Sequence, residues 1–176
     1  MFKRKIIGIL LIFVIMLTGC GGNTKDEFLG YQNINFSTCA SMEINGEKYT
    51  VKIDKTSEEI YNMAFISPNE MSGVSIEKKE GTVTYSVGGV HIPIEEKTNV
   101  AAMALGLFEL VQKELVSADT ELLNGVRVNV LKFKNEEREV TLYISSDSGL
   151  PIIIDSQICG NTVKFSFSEF IMEEQK

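Results

Sequence analysis

The sequence predicts a mainly β (α+β) domain, a curved antiparallel sheet of about ten strands with one apolar helix packed in its concave face. Three observations carry this. From Ile34 onward, apolar and polar residues alternate with a period of two in most segments. Short turn signals separate these runs, among them Asn45-Gly46, Glu80-Gly81, Asp147-Ser148-Gly149 and Gly160-Asn161, which sets consecutive strands in hairpin order. One stretch, Val100 to Val111, is apolar on nearly every side, and a helix of that kind is buried on every side.

The chain opens with Lys3, Arg4 and Lys5, then an apolar run from Ile6 to Leu17, then Thr18, Gly19 and Cys20. The run is shorter than the ~20 apolar residues that span a bilayer. A basic start, a short apolar core and a small-residue end mark a secretory signal. Leu17-Thr18-Gly19-Cys20 resembles the bacterial lipobox, in which the cysteine thiol takes a diacylglycerol and becomes the first mature residue. The expected organisation is a signal over 1–19, a lipidated tether over 20–30 and one domain over 31–176. The partner implied first is the membrane, reached through covalent lipid on Cys20, on the extracytoplasmic face.

The formal net charge is −7 over 176 residues. Removing Met1 to Gly19 takes three basic residues and no acid, which leaves 14 basic against 24 acidic and a charge of −10. Nucleic acid is excluded as a partner, because it needs clustered Lys and Arg. Electrostatic adhesion to anionic lipid is disfavoured too, so the covalent lipid has to hold the protein.

Taken in order, Phe28 to Gln32 reads as a short helical turn. Ile34, Phe36 and Thr38 begin the strands. Tyr49, Val51 and Ile53 follow the Asn45-Gly46 turn, and Asp54 to Glu58 reads as a polar turn. Glu59 to Ser67 carries Tyr61, Met63 and Phe65 on one face and Ile60, Ala64 and Ile66 on the other. Pro68 ends that ladder, because it lacks the N–H a central strand donates. Val74 and Ile76, then Val83, Tyr85 and Val87, then Val90 to Ile94 complete the first half around Glu80-Gly81 and Gly88-Gly89. Thr98 or Asn99 caps a helix that runs to about Ser117. After Asp119 come the strands of Val126, Val128 and Val130, of Val140, Leu142 and Ile144, of Ile152 to Ile158, and of Val163, Phe165 and Phe167.

Three features, in their order along the chain, resemble the lipoprotein-carrier (LolA-like) superfamily. They are Ile66-Ser67-Pro68-Asn69-Glu70-Met71-Ser72-Gly73, the apolar helix between two strand groups, and Ser148-Gly149-Leu150-Pro151-Ile152 followed by the closing run Val163 to Phe170. The resemblance covers most of 31–171, and lipid-anchored sporulation and germination lipoproteins of Gram-positive bacteria look closest. It implies a half-barrel, an open curved antiparallel sheet whose concavity a helix plugs. It also implies a non-catalytic binding or scaffold module for an envelope partner, with a carrier or sensor of a lipid or other apolar ligand as the alternative. In the carrier case Val140, Leu142, Ile144, Val163, Phe165 and Phe167 line the cavity, with Leu105 and Phe108 as its lid. In the other case these residues close a core, and partners dock on sheet edges or near Tyr61, Met63 and Phe65.

No constellation points to an enzyme, a cofactor or a metal. His91 is the sole histidine, which removes Cys/His metal spacing. Ser75-Ile76-Glu77-Lys78 has serine–lysine spacing, but in a strand it places the two groups on opposite faces. The acid pairs at Glu58, Glu95, Glu136 and Glu173 read as solvated turns and ends. Cys39 and Cys159 have two readings, a disulfide that export permits or two small buried apolar side chains in strands.

Overall fold

The computed structural model of the protein describes residues 28–57, 59–109, 114–134 and 138–172. Cys20, the signal, most of the tether, Glu58, residues 110–113, the Glu136-Glu137 turn and the pair at Glu173 lie outside the described residues.

Eleven strands form one antiparallel sheet: β1 (Phe36–Ile44), β2 (Glu47–Ser57), β3 (Ile60–Ser67), β4 (Val74–Lys79), β5 (Thr82–Val87), β6 (Val90–Ile94), β7 (Glu114–Leu123), β8 (Val126–Lys134), β9 (Arg138–Ser145), β10 (Pro151–Ile158) and β11 (Asn161–Met172). Their order across the sheet is β6-β5-β4-β3-β2-β1-β11-β10-β9-β8-β7. Each half is thus a run of hairpins. The first and last strands meet in the middle, from Phe36↔Met172 to Ile44↔Val163. The sheet is an open half-barrel, with β6 and β7 as its edges among the described residues.

The hairpin turns follow from residue chemistry. Asn45 and Gly46 have φ of 51° and 90°, and Asn124 and Gly125 have 51° and 83°. Positive φ at both central positions is what a two-residue turn needs to match the twist of its strands.

A segment crosses the concavity between the two halves. It holds a 3₁₀ turn (Glu96–Thr98), the helix α1 (Val100–Leu105) and a second 3₁₀ turn (Gly106–Phe108). The Asn99 side chain accepts a hydrogen bond from the Ala102 N–H at 3.1 Å and caps α1. Residues Ala102 to Phe108 are all buried. A further 3₁₀ turn (Gly30–Asn33) packs at the β1–β11 junction, where the Tyr31 ring meets Phe170 edge-on at 5.9 Å.

The structure corrects the expected elements at several points. α1 ends at Leu105, well short of Ser117, and Glu114–Leu123 is strand β7, which was not expected and brings the total to eleven. Gly106 is a poor helix residue, and pairing along the whole of β8 outweighs the helical pattern of Leu115 and Val116. β2 runs through Ser57 where a polar turn was expected, because Lys55 pairs with Tyr61 across the ladder and is buried beside it. Tyr61, Met63 and Phe65 are not a docking patch. They face the core with 2%, 0% and 6% exposure, and the exposed member of that strand is Ile66. Val128 and Val130 are buried but lie outside the main core cluster. Leu131 and Phe133 are the β8 residues opposite Leu142 and Val140, so the two valines point to the outer face.

Candidate functional site

The concave face is organised around Phe108, which is 1% exposed. Its ring lies 5.5 Å from Phe165, 6.0 Å from Phe167, 6.2 Å from Phe36 and 6.4 Å from Tyr61. Alternation puts Phe36, Tyr61, Phe165 and Phe167 on the inner face of their strands, and the 3₁₀ turn lowers Phe108 between them.

All eight residues expected to line a cavity converge here. Leu105, Phe108, Val140, Leu142, Ile144, Val163 and Phe165 belong to one continuous buried cluster, and Phe167 packs against its border. A depression of about 180 Å³ opens beside Phe167, lined also by Ser148, Leu150, Pro151, Ile152, Ser168, Glu169 and Phe170. It lies in the corner left where β10 stops pairing at Ser166 while β11 continues to Met172.

An ion network straps the crossing segment down. Lys78 Nζ in β4 lies 3.1 Å from Glu96 Oε2 and 2.9 Å from Glu109 Oε2. Arg138 Nη2 in β9 lies 3.1 Å from Glu96 Oε1, and Arg138 Nη1 donates to the Met103 carbonyl at 3.3 Å. That last bond adds to the one the Met103 carbonyl already accepts from the Gly106 N–H at the end of α1. Glu96 therefore ties both halves of the sheet to the segment between them. Burial disfavours its charge, but the hydrogen bonds from Arg138 and Lys78 outweigh burial and hold its carboxyl below the usual range. Burial likewise works against the Lys78 charge, and Glu109 and Glu96 together push its pKa up. Gly106 makes room for the network. A Cβ there would stand 2.7 Å from Arg138 Nη1 and 2.9 Å from Glu96 Oε1.

A second polar cluster sits at the junction of β1, β2 and the N-terminal turn. Lys55 is 2% exposed, donates to the Gln32 carbonyl and lies 5.9 Å from the centre of the Tyr61 ring. Burial pushes the Tyr31 phenol far above its ordinary range. Burial and then the nearby Glu109 charge do the same to Tyr61, so both stay neutral.

Sequence reasoning missed Lys78, Glu96, Glu109, Arg138 and Lys55. Glu96, read as a solvated turn residue, is a half-buried bridge. No spacing could reveal a partnership across 42 residues of chain; the one hint was charge inside otherwise alternating strands. Ser75 and Lys78 share β4 at a separation that places them on opposite faces, and Lys78 is engaged by its two carboxylates. His91 is exposed, with its Nδ1 2.8 Å from the Ser86 hydroxyl. Cys39 and Cys159 are free thiols. The buried reading fails for Cys159, which is exposed in the β10–β11 turn. No group of three His, Cys, Asp or Glu side chains among the described residues could hold a metal ion.

No family model matches this sequence, and no curated protein matches it. Solved structures share its fold. A LolA superfamily protein from Nitrosomonas europaea aligns with a TM-score of 0.51 at 10% identity, over 86% of this chain and 94% of its own. An uncharacterized conserved protein from Thermus thermophilus aligns with a TM-score of 0.57 at 12% identity, over 88% of this chain and 90% of its own. The architecture is therefore the LolA-like open half-barrel.

Proposed function

We propose that the protein is an extracytoplasmic lipoprotein, anchored through Cys20, whose half-barrel is a non-catalytic scaffold for an envelope partner. The observation that carries this is the occupied concavity. Phe108 and the rings around it fill the space a carrier would leave for cargo, which leaves the outer surface and edges for a partner. The lipobox-like Leu17-Thr18-Gly19-Cys20 supports the anchor, with the signal over 1–19, the tether over 20–30 and the domain from 31. Two acyl chains hold a protein stably to a bilayer. The resemblance to sporulation and germination lipoproteins suggests the setting.

Labelled palmitate should enter the wild-type protein, and Cys20→Ala should lose the label and shift from the membrane to the soluble fraction. Crosslinking in intact sporulating cells should then return one partner in stoichiometric yield. Label retained by the variant sinks the anchor, and background-level crosslinking sinks the scaffold.

The depression beside Phe167 favours a second reading, in which an apolar ligand enters between Phe167 and Phe170 and reaches the cluster of Leu105, Phe108, Val140, Leu142, Ile144, Val163 and Phe165. Mass spectrometry of organic extracts from natively purified protein should then find bound lipid; a clean extract with no uptake of a fluorescent fatty acid removes this reading.

A further inference from the structure

Several of the large apolar side chains that the fold leaves in water gather on one rim of the half-barrel. Leu122 is 73% exposed and Val126 43%, on either side of the Asn124-Gly125 turn. Ile171 and Met172 are 54% and 51% exposed at the end of β11. Single exposed apolar residues need no explanation. These four share a place. The ladder runs through Val130↔Tyr143, Tyr143↔Ile153 and Ile153↔Ser166, and Asn124 and Met172 each lie six residues beyond it toward the same rim. Met172 in turn pairs with Phe36, the first residue of β1. The described chain begins just before this point, with Phe28 packed on the core and Tyr31 against Phe170.

We infer that the tip of the β7–β8 hairpin, Leu122 to Val126, rests in the surface of the membrane that carries the anchor, with Ile171 and Met172 beside it. The inference depends on the anchored reading above for the nearness of that membrane. Residues Cys20 to Glu27 span at most about 28 Å when extended, so the rim they join is the one held near the lipid. The charges nearest the tip are Arg127 and Glu121, while Lys132 and Lys134 lie farther along β8 toward the other rim. Arg127 is exposed next to the tip, placed to meet a lipid phosphate. The other rim exposes as many large apolar side chains, Val87 and Val90 about the Gly88-Gly89 turn, Ile92 beside them and Ile66 near the end of β3, so the nearness of the anchor, not exposure alone, selects the β7–β8 tip. The tip adds orientation to an attachment that the acyl chains supply.

The protein has no tryptophan, so one substitution provides a clean reporter. Leu122→Trp and, as the control on the far rim, Val90→Trp are introduced separately into the full chain. Each lipidated protein is reconstituted into phosphatidylethanolamine–phosphatidylglycerol vesicles containing brominated lipid. The Leu122→Trp emission should shift to the blue and be quenched at a depth of about 5–10 Å, as for an interfacial element, while Val90→Trp stays at the aqueous value. Leu122→Glu with the reporter moved to Val126→Trp should abolish the quenching without releasing the protein from vesicles. Equal quenching at both rims, or none at position 122, overturns the inference. So does shielding of position 122 from aqueous iodide without lipid quenching, which would mark a protein partner there. If Cys20 proves unlipidated, the same proteins held by an N-terminal His tag on nickel-chelating lipid give the same two readings, so loss of the anchor and loss of the tip contact are told apart.

Discussion

Glu96 is bonded to both halves of the sheet, and its charge state sets how tightly the crossing segment is held. Its carboxyl titrates below its unfolded value. Its share of the stability is therefore fully present above an unfolded pKa of about 4.3 and is lost as pH falls through the lower folded value. Lys78 is raised, so its share is present below its unfolded value and is lost as pH rises through the folded one. Glu96→Gln should cost about 1–3 kcal/mol at neutral pH and flatten the acid limb of a stability-versus-pH curve measured by urea unfolding; an unchanged acid limb would sink this account. Gly106 is tied to the same network. Gly→Ala within a helical segment normally gains up to about 1 kcal/mol, but here the new methyl displaces Arg138 and Glu96. Gly106→Ala should lower the melting temperature. In an Arg138→Ala background the same change should become neutral or stabilising. A cost that persists in that background would mean the network is not its cause. None of this was legible beforehand, because ion pairs between groups far apart in sequence leave no periodic trace.

At the scale of elements, the capped start of α1 was readable and its end was not. Asn99 sits ahead of an apolar run and does cap it. Asn99→Ala should cost about 1 kcal/mol by thermal unfolding, and Phe108→Ala, which empties the ring cluster, about 3–5 kcal/mol. An Asn99 effect as large as that of Phe108 would contradict the view that the segment is held by packing rather than by its own helicity. The true extent of α1 was hidden because Leu115 and Val116 fit a helical pattern as well as an extended one, and only the partner strand β8 decides. Yet β7 had a signal of its own. Asn124-Gly125 is as strong a hairpin mark as Asn45-Gly46, and reading it would have turned residues before Leu123 into a strand. Val128 and Val130 mark the limit of that signal: alternation says that they share a face, not which face.

For the whole molecule, the antiparallel half-barrel with its plugged concavity was legible, because hairpin turns and one-sided alternation are local properties that leave few topologies open. The meeting of β1 and β11 was not, since no local signal pairs strands at opposite ends of the domain. Amide hydrogen exchange should be slowest along β1 and β11 and fastest along the edges β6 and β7; faster exchange at the centre than at β7 would refute the strand order. The two halves hold together through that central pairing and the crossing segment. Fragments made by cutting within residues 110–113 should therefore remain associated when co-expressed.

An edge strand can be trimmed at little cost, but β11 is the middle plank of the sheet. Excising Asn161–Met172 would split the molecule down its keel, so that deletion should leave no folded protein at all.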